Sequence, residues 1–89
     1  LWAGEQLVGM IATFPQAEAE WALGYLLAPA WQGHGLMTAA VATFLRANPT
    51  LALVAEVTAT NRASQRVLEH NDFQRQTQGA VLTYRRGRD

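Results

Sequence analysis

The chain is most constrained at its middle, where an apolar stretch stops at Ala28-Pro29 and Gln32-Gly33-His34-Gly35 then opens straight into a run with helical spacing. Ahead of the stop, residues 19–27 alternate as a strand does. Glu20, Ala22, Gly24 and Leu26 share one face, and Trp21, Leu23, Tyr25 and Leu27 share the other. Behind it, residues 36–47 place Met37, Ala40, Val41, Phe44 and Leu45 on one side of a helix. A strand that turns through glycines into a helix brings free backbone N–H groups and the positive end of the helix dipole to one point. Gly33 and Gly35 let the backbone come within hydrogen-bond reach of phosphate oxygens, where a side chain would hold it off. Taken alone, a Gly-x-Gly pair before a helix is equally a plain tight turn. It is not a Walker loop, because the lysine is missing and the spacing is wrong.

The flanking segments are read by the same rules. Residues 1–2 and 6–14 are β-rich around Ala3-Gly4-Glu5, which predicts a hairpin, and Phe14-Pro15-Gln16 is expected to end its second strand. The central helix is expected to stop before Asn48-Pro49. Residues 51–58 alternate, with Leu51, Leu53, Ala55 and Val57 on one face. Asn61 is the expected N-cap of a second helix through His70, with Val67 and Leu68 facing inward. Residues 73–77 and 80–84 read as a closing hairpin around Gln78-Gly79, followed by a polar tail containing Arg85, Arg86 and Arg88. The expected order is β-β-β-α-β-α-β-β, a mixed α/β (α+β) arrangement forming a single domain over residues 1–89.

Composition narrows the function. With 49% apolar and 16% charged residues, the chain folds, though at 89 residues it is marginal alone. Its formal charge is zero and every cation is arginine, so no broad basic field exists to attract nucleic acid or an anionic membrane. Cysteine is absent, which removes disulfides, thiolate nucleophiles and cysteine metal ligands. The two isolated histidines, without clustered carboxylates, predict no metal site. No apolar run approaches the roughly 18 to 20 residues of a membrane span, and a cytoplasmic location is expected. The chain starts at Leu1, without an initiator methionine and already inside a strand, so it is expected to be a fragment.

Two blocks carry a resemblance to a known family. Gln32-Gly33-His34-Gly35-Leu36-Met37 is similar to the signature of the GCN5-related N-acetyltransferase (GNAT) superfamily: Gln or Arg, two residues, Gly, one residue, then Gly or Ala. It matches at Gln32 and Gly35 and departs at Met37, where the family prefers a tiny residue. The stretch from Asn61 through Ser64, Leu68-Glu69-His70 and Asn71-Asp72-Phe73 resembles the family's Asn-x-x-Ser block, which leads through Leu-Glu-Lys to Gly-Phe. Here His70 replaces the lysine and Asp72 the glycine. The likeness is greatest to the branch of ribosomal-protein N-terminal acetyltransferases (RimJ/RimL-like). It implies the acyl-CoA N-acyltransferase fold, a mostly antiparallel mixed sheet with a splayed central parallel strand pair, 19–27 and 51–58, and helices packed on it.

The resemblance also implies a reaction and a set of roles. Acetyl-coenzyme A would be co-substrate, and its acetyl group would pass to a primary amine by direct attack in a ternary complex. Gln32 opens the loop, and the amides of Gly33, His34, Gly35, Leu36, Met37 and Thr38 would hold the pyrophosphate. The backbone at Leu27 would pair with the pantetheine arm and supply an oxyanion donor. Asn61 would contact the pantetheine, serve as N-cap, or do both. Ser64 is the expected acid, with Leu68 standing where many relatives have a tyrosine. Glu20 is the expected base, with Glu56 as its rival and water as a bridge. Trp2, Trp21, Tyr25 and Trp31 would line an acceptor pocket or belong to the core. The family's first strand and first two helices are expected to be missing ahead of Leu1, so an N-terminal segment or a homodimer partner is expected to cover exposed core. The acceptor stays open between a protein N-terminus and a small-molecule amine. A degenerate coenzyme A-binding module with a structural or regulatory role is the alternative, motivated by Met37, Leu68 and Asp72.

Overall fold

The computed structural model describes residues 1–17, 20–33 and 35–87. The chain opens with a two-stranded hairpin, β1 (Trp2–Ala3) and β2 (Gln6–Leu7), turned at Gly4 with φ 58°. A five-stranded sheet follows in the order β3-β4-β5-β7-β6. Its strands are β3 (Gly9–Ala17), β4 (Glu20–Leu27), β5 (Ala52–Thr58), β6 (Gln74–Arg75) and β7 (Val81–Arg86). All neighbours are antiparallel except β4 and β5, which run parallel. The mostly antiparallel mixed sheet with one parallel pair is therefore as expected, but four strands, not three, precede the first helix.

The extra strand arises at Val8, where the segment 6–14 was expected to run unbroken. Val8 is buried, and its backbone is shared between two partners: its N–H donates to the Leu1 carbonyl at 2.9 Å, and its carbonyl accepts from the Ala28 N–H at 2.7 Å. The chain then enters β3 at Gly9, which lies so close to β4 that a Cβ there would stand 2.7 Å from the Leu26 carbonyl oxygen. Nor does β3 stop at Pro15. It continues to Ala17 with Pro15 opposite Trp21 and a register shift between Pro15 and Ala17. Proline is tolerated here because β3 is an edge strand, so the missing donor interrupts no ladder on its outer side. The expected strand start at Ala19 lies outside the described residues.

Helix α1 (Leu36–Ala47) follows the sequence pattern, burying Met37, Val41 and Leu45. It closes at Asn48, whose side chain donates to the Phe44 carbonyl at 2.9 Å, one residue before Pro49. Helix α2 (Arg62–His70) is capped by Asn61, whose Oδ1 accepts the Ser64 N–H at 3.1 Å. Both helices pack on the same face of the sheet, against Leu23, Leu53, Ala55, Val57, Leu82 and Tyr84. Each large side chain buried this way contributes about 1.5–3 kcal/mol. Tyr84 and Leu68 are almost wholly enclosed, at 0% and 1% exposure, and the Tyr84 hydroxyl donates to Glu69 Oε2 at 2.7 Å, tying α2 to β7.

After α2 the chain turns through Asp72 with φ 67°, a left-handed conformation that aspartate adopts more readily than most side chains. The Asp72 and Phe73 amides return to the Glu69 and Leu68 carbonyls at 3.2 and 3.0 Å. Phe73, expected to start a strand over 73–77, is instead a buried helix-closing residue, and β6 is only Gln74–Arg75. Conversely β7 runs two residues beyond the expected end at Tyr84, because Arg85 and Arg86 pair with Val54 and Leu53 of β5. Arg88 lies outside the described residues.

The opposite face of the sheet carries Met10, Phe14 and Leu26 at 47, 58 and 67% exposure, and among the described residues no helix covers it. Among the described residues, too, no helix is long and apolar enough to cross a membrane.

Candidate functional site

The site begins with a break in strand pairing. Strands β4 and β5 pair only from Glu20 to Ala22 against Ala52 to Val54, yet β4 runs on to Leu27 and β5 to Thr58. Past Ala22 the two diverge, so the β5-facing edge of β4 from Leu23 to Leu27 has no strand partner among the described residues. A free edge presents backbone donors and acceptors to anything extended that lies along it.

The open end of this gap leads to a groove of about 520 Å³. Its first wall is the end of β4, with Tyr25, Leu26 and Leu27. Its floor is the glycine turn and first turn of α1: Gln32, Gly33, Gly35, Leu36, Met37 and Thr38. Its second wall is α2, with Asn61, Ala63, Ser64, Arg66, Val67 and His70.

The floor is built locally. A short 3-10 turn, Pro29–Trp31, follows β4, and the Gln32 side chain donates from Nε2 to the Leu27 carbonyl at 2.9 Å, folding the loop back on the strand end. Gly33 and Gly35 have φ 81° and 72°, conformations that favour glycine. A Cβ added at either would meet nothing within 4 Å. The glycines are therefore not demanded by crowding inside the chain, and the space before them is open. Gly35 caps α1 without a side-chain hydrogen bond, and the first intrahelical bond is the Ala39 N–H to the Gly35 carbonyl at 3.1 Å. Helix geometry leaves the amides of Leu36, Met37 and Thr38 without intrahelical acceptors. They form a cradle of free donors at the positive end of the helix dipole, with no acidic side chain in the first turn. Arg66 and His70 line the groove, and none of its described lining residues is a carboxylate. Its polarity suits a phosphate-bearing ligand. Asn71, one of the few buried polar residues, braces this floor by donating to the Thr38 and Val67 carbonyls at 3.1 and 2.9 Å.

Across the groove, the Tyr25 hydroxyl lies 2.6 Å from Ser64 Oγ and donates to the Ser64 carbonyl at 3.1 Å. Burial pushes the Tyr25 phenol up from its ordinary range, and the Ser64 hydrogen bond opposes part of that shift. Leu68, in the position where the resemblance places a tyrosine, is sealed in the core.

The structure thus gathers Leu27, Gln32, Gly33, Gly35, Leu36, Met37, Thr38, Asn61 and Ser64 around one groove, and Asn61 caps α2 while lining it. His34 lies outside the described residues. Glu20 is not brought in. It sits at the paired start of β4, seven residues or about 23 Å along the strand from Leu27. It accepts a hydrogen bond from Arg85 Nε at 3.0 Å, on the sheet face away from the helices. Glu56 shares that face but stands two residues past Val54, where β5 has already left β4. The sequence left Tyr25 open between an acceptor pocket and the core, and gave His70 only as the end of the second helix, in the place of the family's lysine. Arg66 carried no signal at all, because a helix-face arginine declares its neighbour only in three dimensions.

A family model described as an acetyltransferase (GNAT) domain matches residues 2–74. Comparison with curated proteins finds no match. Among solved structures, the chain is similar to an acetyltransferase of the GNAT family from Bacillus anthracis (TM-score 0.82, 20% identity, 97% of this chain and 61% of that one). It is also similar to ribosomal-protein-S5-alanine acetyltransferase from Vibrio fischeri (TM-score 0.80, 19% identity, 97% and 57%). Mycobacterium smegmatis RimJ, in complex with a CoA-disulfide, aligns with TM-score 0.76 and 24% identity over 91% of this chain and 47% of that one. These identities establish a shared fold, and the chain spans about three-fifths of the length of the first two.

Proposed function

The chain belongs to the acetyltransferase (GNAT) domain family, and from that premise we propose that its groove binds acetyl-coenzyme A and that the acetyl group is transferred to a primary amine by direct attack. The observation that carries this reading is the junction of three features in one place. The unpaired edge of β4 opens into a glycine cradle at the N-terminus of α1, and that cradle faces a wall bearing the Arg66 guanidinium and, among the described lining residues, no carboxylate. In this reading the amides from Gly33 to Thr38 hold the pyrophosphate, with Arg66 adding positive charge and the His70 imidazole a further hydrogen-bonding group. The free stretch of β4 pairs with the extended pantetheine arm as another strand would. An amide on that stretch, near Leu27, polarises the thioester carbonyl. Aligning amine and thioester in this way supplies much of the rate without a strong base. Where a base contributes, Glu56, beside the diverging stretch of β5, is better positioned than Glu20, which is engaged by Arg85.

The RimJ neighbour with its CoA-disulfide supports coenzyme A as the ligand class, and the ribosomal-protein acetyltransferase supports a protein N-terminus as one candidate acceptor. Isothermal titration with acetyl-coenzyme A is expected to show one site. Free thiol should then be released in the presence of a panel of peptide N-termini and small amines. No heat at millimolar acetyl-coenzyme A would sink the cofactor reading. Binding without thiol release would favour the alternative of a coenzyme A-binding module, which Met37, Leu68 and Asp72 motivate.

A further inference from the structure

Acetyl transfer from a thioester ends with a sulfur that must gain a proton, and the residues of α2 leave few sources. Leu68 is 1% exposed and carries no proton to give. Ser64 lines the groove, but an isolated serine hydroxyl is a weak acid. What Ser64 has is a partner: the Tyr25 hydroxyl reaches it from β4, 39 residues away in sequence, at 2.6 Å to Oγ and 3.1 Å to the carbonyl. Tyr25 stands on the stretch of β4 that has lost its β5 partner, so its ring faces the same groove as the strand edge and the cradle.

We propose that Tyr25 is the catalytic acid that protonates the departing thiolate, with Ser64 as the hydroxyl that holds and replenishes it; this rests on the acetyl-transfer reading above. As the amine nitrogen bonds to the carbonyl carbon and the C–S bond breaks, the Tyr25 O–H bond breaks and an S–H bond forms. The Ser64 hydroxyl proton moves to the Tyr25 oxygen. Ser64 regains a proton, through water, from the nitrogen that attacked, so the net transfer is from amine N–H to thiol S–H. Nothing is consumed beyond the two substrates. Burial keeps the phenol protonated through neutral pH, as an acid requires. The other titratable groups of the groove are Arg66 and His70 of α2, and Tyr84 of β7 lies close enough behind for its ionisation to be felt through the core.

The test uses the purified chain with Tyr25→Phe and Ser64→Ala, reading acetyl-coenzyme A affinity by calorimetry and thiol release from pH 6 to 11. Tyr25→Phe is expected to lower kcat roughly 100-fold, the scale of a lost general acid. Its acetyl-coenzyme A Kd should stay within about threefold, and the alkaline fall of the wild-type pH profile, which reports the phenol losing its proton, should vanish. Ser64→Ala should keep that alkaline fall but displace it, because the phenol has lost its hydrogen-bond partner; it decides the matter if the phenylalanine variant does not fold. Unaltered kcat and an unaltered alkaline limb in Tyr25→Phe, alongside an active wild type, would overturn Tyr25 as the acid and leave acetyl transfer standing. A wild type that neither binds acetyl-coenzyme A nor releases thiol overturns the acetyl-transfer reading, and Tyr25 as its acid with it.

Discussion

Replacing Gly35 separates what the cradle does for the fold from what it does for the ligand. Gly35 has φ 72° and ψ 6°, so Gly35→Ala places a Cβ in the left-handed region, at a cost of about 1–2 kcal/mol. A Cβ there touches nothing within 4 Å, so no steric term adds to the backbone cost. For a domain of this size, 1 kcal/mol corresponds to a fall in Tm of about 4–8 °C. The cradle reading adds a second effect: the new methyl stands in open space in front of amides that hydrogen-bond an anion. A hydrogen bond to a charged group is worth about 1.5–3 kcal/mol, so losing one weakens acetyl-coenzyme A binding by roughly ten- to a hundredfold. Asparagine tolerates the left-handed conformation, so Gly35→Asn should recover most of the Tm and none of the affinity. Thermal unfolding by circular dichroism and calorimetric titration of acetyl-coenzyme A read the two quantities. If the Gly35→Asn variant regained affinity along with Tm, Gly35 would be only a turn residue and the cradle argument would be wrong.

The Glu20–Arg85 pair is half open to solvent on the arginine side, so Glu20→Gln should cost less than about 1 kcal/mol in urea unfolding and leave thiol release within twofold, whereas Glu56→Gln should lower kcat by tenfold or more. The reverse pattern would reinstate Glu20 as the base. Asn71→Ala strips the Thr38 and Val67 carbonyls of their shared donor; stability should drop by about 1–3 kcal/mol, and acetyl-coenzyme A affinity should fall with it, since Thr38 belongs to the cradle. Folding should also depend on alkaline pH. Burial, the larger cause in each case, raises the phenols of Tyr25 and Tyr84, with the Glu69 hydrogen bond adding at Tyr84. The folded chain then holds protons that the unfolded chain has released. Stability is intact below about pH 10, the value for an unperturbed tyrosine, and lost as pH climbs through the folded values. A urea midpoint that rose from pH 9 to 11 would contradict this.

Much of the frame was legible in the residues because the forces that set it are local. Helix periodicity, the asparagine cap at residue 61, the proline after Asn48 and the two left-handed glycines each act within one turn of chain. Both helices accordingly appear where the pattern put them. Most of the groove's floor was legible for the same reason, since Gln32, Gly33 and Leu36 to Thr38 lie within a few residues of one another along the chain. The two motif blocks added what spacing alone does not contain, that the floor and α2 belong to one site.

What the residues did not contain was adjacency. Pro15 reads as a strand stop until β3 is known to be an edge, where an absent donor is harmless. A run of apolar residues through Val8 reads as one strand until its N–H and carbonyl are seen to bond in different directions. Glu20 and Arg85 are separated by 65 residues, and only the register of β4, β5 and β7 sets them side by side and takes Glu20 out of contention for the groove. Tyr25 and Ser64 meet the same way. Each is an ordinary polar residue in its own element, and their 2.6 Å contact exists because β4 parts from β5 and α2 packs over the opening. The sequence by itself determined the two helices, the glycine turn and the likeness to an acetyltransferase. The tertiary structure alone decided which side chains face the groove, because strand order and register bring together residues that no local rule connects.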